Sequence, residues 1–306
     1  MDIGVGLPMK ALEADELAEF AYTIESGPFA SLSLGDRLAY ECHDVLTALT
    51  YVAAITTRLR LSTSVLCLPM YREGVVAKQA ASIDRLSKGR LSLGLGLGGR
   101  ETDFAVSPAP WKGRGARFEE QLATMQRIWR GEPPFPGTDP VGPVPFTPGG
   151  PEVIIGGFVP AAMRRAGRLA HGLRSFAFGA DTKVHLERYA LTKEAWDEAG
   201  RPGRPRLIAA CNFALGPGAH EAFVKHAHTY YGYDQALLDD ALSSNAPTSP
   251  QAILEFIAKC EADGIDELVF TTVTADTMTA MRELAEVVAA RTVQHPRPRM
   301  PRRERA

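Results

Sequence analysis

From Leu59 to Leu68 the chain is apolar apart from small hydroxyl residues and Arg60. Such a run suits a strand buried on both faces of a parallel sheet, and Pro69 stops it. From Val75 to Leu86 apolar or small residues return at helical spacing (Val76, Ala80, Ile83, Leu86), and Ser87-Lys88-Gly89 supplies the glycine exit a helix favours. Leu91 to Leu97 extends again. Two strands separated by one helix within about 40 residues make a βαβ unit, whose crossover is right-handed almost without exception.

The same alternation continues along the chain. Strand-like segments fall at Ile3–Leu7, Phe29–Leu34, Leu59–Leu68, Leu91–Leu97, Val153–Ile155, Gly172–Phe178, Leu207–Leu215 and Glu267–Thr272. Helix-like segments separate them: Ala14–Glu25, Asp44–Thr57, Val75–Leu86, Arg117–Arg130, Ala161–Ala170, Lys183–Ala199, His220–Tyr231 with Ala236–Leu242, Pro250–Ala262 and Asp276–Arg291. Eight strands alternating with helices predict an α/β fold, a single (β/α)8 TIM barrel over residues 1–293, with a doubly wound open sheet as the alternative. Asp44, Ser249-Pro250 and Asp276 stand where a short oxygen-bearing side chain caps a helix start. The stretch from Gly131 to Pro151 is dense in proline and glycine, so it is read as a long irregular insertion before strand five that leaves from the bottom of the barrel.

Composition adds little to this picture. With 306 residues, 45% hydrophobic and 23% charged, the chain has the make-up of a globular protein with a large core. A formal charge of −2 gives no reason to expect nucleic acid or a membrane as partner. Residues 294–306 are the exception: five arginines and three prolines predict a basic, disordered tail. Cys42, Cys67, Cys211 and Cys260 show neither a CxxC pair nor metal-ligand spacing, and the N-terminus carries no secretory pattern, so a reduced cytoplasmic compartment is expected. His226 and His228 are two apart on a helix and face different ways, so no metal site is expected.

In a barrel, chemistry sits at the C-terminal ends of the strands. Asp36-Arg37 after strand two is the sharpest polar pair there, read either as groups that polarise substrate or as charges covering the rim. Gly94, Gly96, Gly98 and Gly99 lie within and after strand four, where glycine serves either to relieve crowding or to admit a ligand ring against the backbone. Gly156-Gly157 followed by Phe158, just before a helix, offers free amides to an anion or makes a plain tight turn. HExxH, GxSxG and GxxxxGK[ST] do not occur, which removes the usual support for zinc protease, α/β-hydrolase and P-loop readings.

These residues resemble the luciferase-like monooxygenase superfamily of flavin- and deazaflavin-dependent barrel oxidoreductases. The resemblance is carried by SLSLGDRL (31–38), LTALTYVAAITTRLRLSTSVL (46–66), AKQAASIDRLSKGRLSLGLGLGGRETDF (77–104), WKGRGARFEEQLATMQRIWRGE (111–132), VIIGGFVPAAMRRAGRLAHG (153–172) and DGIDELVF (263–270). It implies reduced FMN or the deazaflavin coenzyme F420, with a slight preference for the flavin, used to oxygenate or reduce a small organic substrate. A flavin reductase as partner and a homodimer are implied in the same way. By position, Ser64-Val65 falls at a cis peptide behind the cofactor ring, Thr63 and Gly96 to Gly98 at the walls beside it, Gly156, Gly157 and Phe158 at the phosphate turn, and Asp36 at an active-site acid. Two departures stand out: Arg37 occupies the place of a histidine proton donor, and Leu97 that of a phosphate-binding arginine. The other readings are a flavin-binding barrel without turnover and a non-redox barrel enzyme acting on a phosphorylated substrate.

Overall fold

A computed structural model describes residues 1–294. The tail expected over residues 294–306 lies outside the described residues, apart from Gln294, which ends the last helix. Nine strand segments, all parallel, make the eight staves of a closed barrel: β1 (Asp2–Gly6), β2 (Ser31–Leu34), β3 (Arg60–Thr63), β4 (Leu66–Cys67), β5 (Leu91–Gly96), β6 (Glu152–Gly156), β7 (Gly172–Ala177), β8 (Arg206–Phe213) and β9 (Glu267–Thr272). The sheet begins at β3 and ends at β4, and β3 pairs with β5 through Leu61↔Leu91 and Ser62↔Ser92, which closes it. The third expected strand is thus two segments, with a cis peptide bond between Ser64 and Val65 in the gap.

Strand parity sorts the core. Outward residues such as Val5, Leu32, Leu61, Leu93, Leu173, Leu207 and Leu268 pack with Phe20, Leu49, Ala80, Leu122 and Ile253 of the surrounding helices. Inward residues Ile154, Ile208, Ala210 and Val269 form a separate apolar plug in the barrel. Below the plug the interior is ionic. Arg206 Nη1 donates to Glu152 Oε2 (2.9 Å) and Nη2 pairs with Glu267, Ser92 Oγ donates to Glu152 (2.7 Å), and Ser31 Oγ donates to Glu267. Arg60 completes the chain at 3.4 Å from Glu267.

The capped helix starts form as the side chains dictate: Thr47 N donates to Asp44 Oδ1 (2.8 Å), Ala252 N to Ser249 Oγ (3.2 Å) and Thr279 N to Asp276 Oδ1 (3.0 Å). The segment from Gly131 to Pro151 has no helix or strand and is fastened to the outside of α3 (Glu73–Leu86). Buried Asp84 accepts from Thr147 N (2.7 Å) and Thr147 Oγ1 (3.1 Å), while Lys78 and Arg85 donate to the carbonyls of Gly142 and Val144. This anchors it at the end of α3 that leads into β5, away from the strand C-termini.

Candidate active site

The strand C-termini converge on a mouth whose polar groups come from distant segments. Asp36, just past β2, is 6% exposed. Its Oδ2 accepts from Cys67 N (2.9 Å) and its Oδ1 from the Tyr71 hydroxyl (2.8 Å). Burial pushes this carboxyl up to about 6, despite the two hydrogen bonds and with a further upward push from Asp44 and Asp103. Burial and the adjacent Asp36 charge likewise raise the Tyr71 hydroxyl far above its ordinary value, so Tyr71 stays a donor. A carboxyl titrating near neutrality can take up or give back a proton there.

Arg37 does not pair with Asp36. Its Nε meets Asp103 Oδ2 at 2.6 Å, both side chains being nearly buried, and Asp103 Oδ1 also accepts from Ala39 N (2.8 Å). The Arg37 guanidinium lies 4.8 Å from the Tyr40 ring and 5.9 Å from the Tyr230 ring. Arg100 stands on the other side of that wall, 4.6 Å from Tyr230 and 3.8 Å from Tyr233. Half-buried His226 stacks on Tyr230 (5.5 Å, 9°) and is pulled down by desolvation to about 4, so it is neutral at physiological pH. Arg37 Nη1 and Asn212 Nδ2 are buried donors without a hydrogen-bond partner.

The glycines make the other wall. A side chain on Gly94 would begin 2.0 Å from the Thr63 carbonyl oxygen, and one on Gly96 2.5 Å from a Val65 methyl. Gly156 faces the second Val65 methyl at 2.8 Å. The expected crowding relief at Gly94 is therefore real, and Thr63, fully buried, donates to Gly94 O (2.5 Å). Gly96 and Gly156 likewise make room, here for the two methyls of half-buried Val65, which is seated between them. Ser64 is held by its amide on Leu34 O (2.6 Å). Gly98 turns with φ 77°, a left-handed conformation suited to glycine, between Phe104 and Cys67, and Leu97 beside it is half-buried.

Gly157 packs on the first turn of α6 (Pro160–Leu169), where an added side chain would lie 2.6 Å from Ala162 Cβ. Val159 at the helix start offers no capping oxygen, and Phe158 is exposed. The cation that the sequence of this turn lacks comes from α7 (Thr182–Glu198): the Arg188 guanidinium lies 5.5 Å from the Phe158 ring and donates to Phe176 O. Sequence reasoning passed over Arg188, Tyr230 and Arg174. Tyr71 and Asp103 lie within the strand-end segments Cys67–Tyr71 and Gly98–Asp103, where chemistry is expected in a barrel, but nothing local marks their partners.

A closed parallel barrel with a buried acid and a glycine turn at an uncapped helix, both at the strand C-termini, defines the class: a TIM barrel. The luciferase-like monooxygenase family model matches residues 1–249. The chain belongs to this family. Over 207 residues it is 34% identical to an F420-dependent glucose-6-phosphate dehydrogenase of Nakamurella multipartita, a match covering 61% of this chain and 59% of the relative. It is 38% identical over 124 residues to the enzyme of that name from Beutenbergia cavernae, 37% of each chain. These matches thus span less than two thirds of the relatives' own lengths. Among solved structures, an F420-dependent secondary alcohol dehydrogenase in complex with an F420-acetone adduct superposes with a TM-score of 0.74 at 18% identity, over 94% of this chain and 98% of that one. The oxygenating constituent of 3,6-diketocamphane monooxygenase from Pseudomonas putida, in complex with FMN, gives 0.70 at 19% identity, over 94% and 97%. Both likenesses concern the fold. No helix among the described residues is long and apolar enough to cross a membrane.

Proposed function

We propose that this protein transfers electrons between a bound deazaflavin coenzyme or FMN and a small organic substrate, with Asp36 handling the proton. The observation that carries the reading is the juxtaposition of half-buried Val65, seated between Gly96 and Gly156 at the strand ends, with the buried Asp36–Tyr71 pair, which is joined to the same strand end through Cys67 N. The residues suit a flat ring with an anionic tail: the half-buried side chain of Val65 offers the ring an apolar seat, and Gly157, the uncapped amides of α6 and Arg188 suit the tail. The 34% and 38% identical relatives are F420-dependent enzymes, which supports the deazaflavin.

The cofactor supplies the hydride or electron-pair chemistry when bound, and the protein supplies position, electrostatics and shielding from water. Tyr71 holds the Asp36 carboxylate by one oxygen and Cys67 N holds the other, so the proton Asp36 carries near pH 6 is kept at a fixed place. The Arg37–Asp103 pair braces the loop bearing Asp36, and Tyr40, Tyr230 and Arg100 form the aromatic and cationic wall a substrate would meet.

The experiment is a side-by-side titration of the purified protein with FMN and F420 by fluorescence and calorimetry, repeated on Gly157→Glu and Arg188→Ala. Micromolar or tighter binding of F420, weakened at least tenfold by either substitution without loss of fold, supports the reading. Preference for FMN moves the chemistry to the flavin, and binding of neither overturns it.

A further inference from the structure

Arg174 lies on β7, in register with Gly156 of β6 on one side and Ile208 of β8 on the other, so its side chain enters the barrel among the apolar plug. It is 7% exposed. The backbone of Arg174 abuts Gly156: its carbonyl oxygen is 3.5 Å, and its Cβ 3.7 Å, from where a Gly156 side chain would begin, and that point is 2.8 Å from Val65. The guanidinium spans to the opposite wall, where, among the described residues, Nη2 donates to the hydroxyl of Ser33 on β2 (3.2 Å). Below it, Arg60, Glu267, Arg206 and Glu152 satisfy one another in a continuous chain, and Arg174 belongs to none of those ion pairs. Burial pulls it down to about 10, so it remains a cation at neutral pH.

A buried guanidinium whose direct partner is a neutral hydroxyl is costly for a protein to keep, because Glu267, already paired with Arg60 and Arg206, repays its desolvation only from a distance. Its backbone packs against Gly156, where half-buried Val65 is seated, which puts the charge close to the strand ends. We propose that Arg174 is a positioning residue that stabilises the negative charge acquired by the ring when the bound cofactor is reduced. This rests on the reading given above. Uptake of two electrons and one proton leaves a flavin-type ring with one negative charge; Arg174 attracts that charge, and no bond to the arginine forms or breaks. Ser33 fixes the guanidinium on the far wall.

The test compares affinities for the oxidised cofactor and for the dithionite-reduced cofactor under anaerobic conditions, using whichever of F420 and FMN the wild type binds, together with the melting temperature of the cofactor-free protein. Arg174→Met is expected to lose at least tenfold more affinity for the reduced form than for the oxidised one, equal to a fall of about 30 mV in the potential of the bound two-electron couple. Arg174→Lys is expected to recover part of that difference. The cofactor-free Met variant should melt no lower than wild type, because an unpaired buried charge has been removed. Equal loss of both redox forms, or a lowered melting temperature with unchanged redox preference, makes Arg174 a strut and overturns the proposal. Failure of Met, Gln and Lys replacements alike to fold overturns it in the same way. Binding of neither cofactor by wild type overturns the functional reading and this inference together, whereas a wild type that binds while Arg174→Met keeps its redox preference overturns this inference alone.

Discussion

The Tyr71 hydroxyl donates to Asp36 Oδ1 at 2.8 Å while the neighbouring Cys67 amide donates to Oδ2 at 2.9 Å, so one short segment after β4 holds both oxygens of the buried acid. Tyr71→Phe removes one of the two bonds that favour the carboxylate, and the Asp36 carboxyl should then titrate higher than about 6. The expected result is a limb in the pH profile of kcat/KM that shifts to higher pH in the variant and disappears in Asp36→Asn.

Asp36 also ties stability to pH. Burial raises its pKa from 3.8 to about 6, so the folded protein holds this proton more tightly than the unfolded chain does. Its contribution is fully present below pH 4 and is lost as pH rises through 6. Asp36→Asn escapes that loss. Relative to wild type it should gain roughly 3 kcal/mol between pH 4 and pH 7, and no more above that. Urea denaturation at pH 4.5, 5.5 and 7.5 checks the sign and the window.

Asp103 should matter to folding more than its place near the rim suggests. Asp103→Ala leaves Arg37 buried without a countercharge and frees the Ala39 amide, a loss on the order of 3–5 kcal/mol. Asp103→Ala combined with Arg37→Met should be clearly more stable than Asp103→Ala alone, and a double-mutant cycle on denaturation midpoints measures the difference.

The glycine wall makes a graded prediction. Gly94→Ala would place a carbon 2.0 Å from the Thr63 carbonyl oxygen, a backbone atom that cannot rotate away, and should cost several kcal/mol or prevent folding, of order 3 kcal/mol at least. Gly99→Ala meets nothing within 4 Å and should be near neutral, within about 0.5 kcal/mol. Gly96→Ala faces a movable Val65 methyl and should fall between them, weakening cofactor binding more than it lowers the melting temperature.

The barrel was legible because its evidence is local: apolar runs, helical spacing and caps such as Asp44 and Ser249 each act within a few residues. Leu59–Leu68 read as one strand because every residue in it suits a strand, and the gap between Thr63 and Leu66 has no counterpart in composition. At the site, Asp36, Gly96 and Gly156 could be singled out by position along the strands, but partnership could not. Asp103 is 66 residues from Arg37, and Ser33 is 141 from Arg174. Arg174 itself sits in an ordinary strand, GLRSFA, and only closure of the barrel turns it inward. Arg188 reaches the glycine turn from the following α/β unit, a distance that no motif spans.

Glu152, Arg206 and Glu267 lock the lower end of the barrel to itself, so traffic passes through the mouth. A group lodged against buried Gly156 and half-buried Val65 lies beneath anything that approaches past the exposed Tyr40. On the proposed reading, a vessel with one opening imposes an order on its occupants: the group seated deeper enters before the one above it and leaves after it.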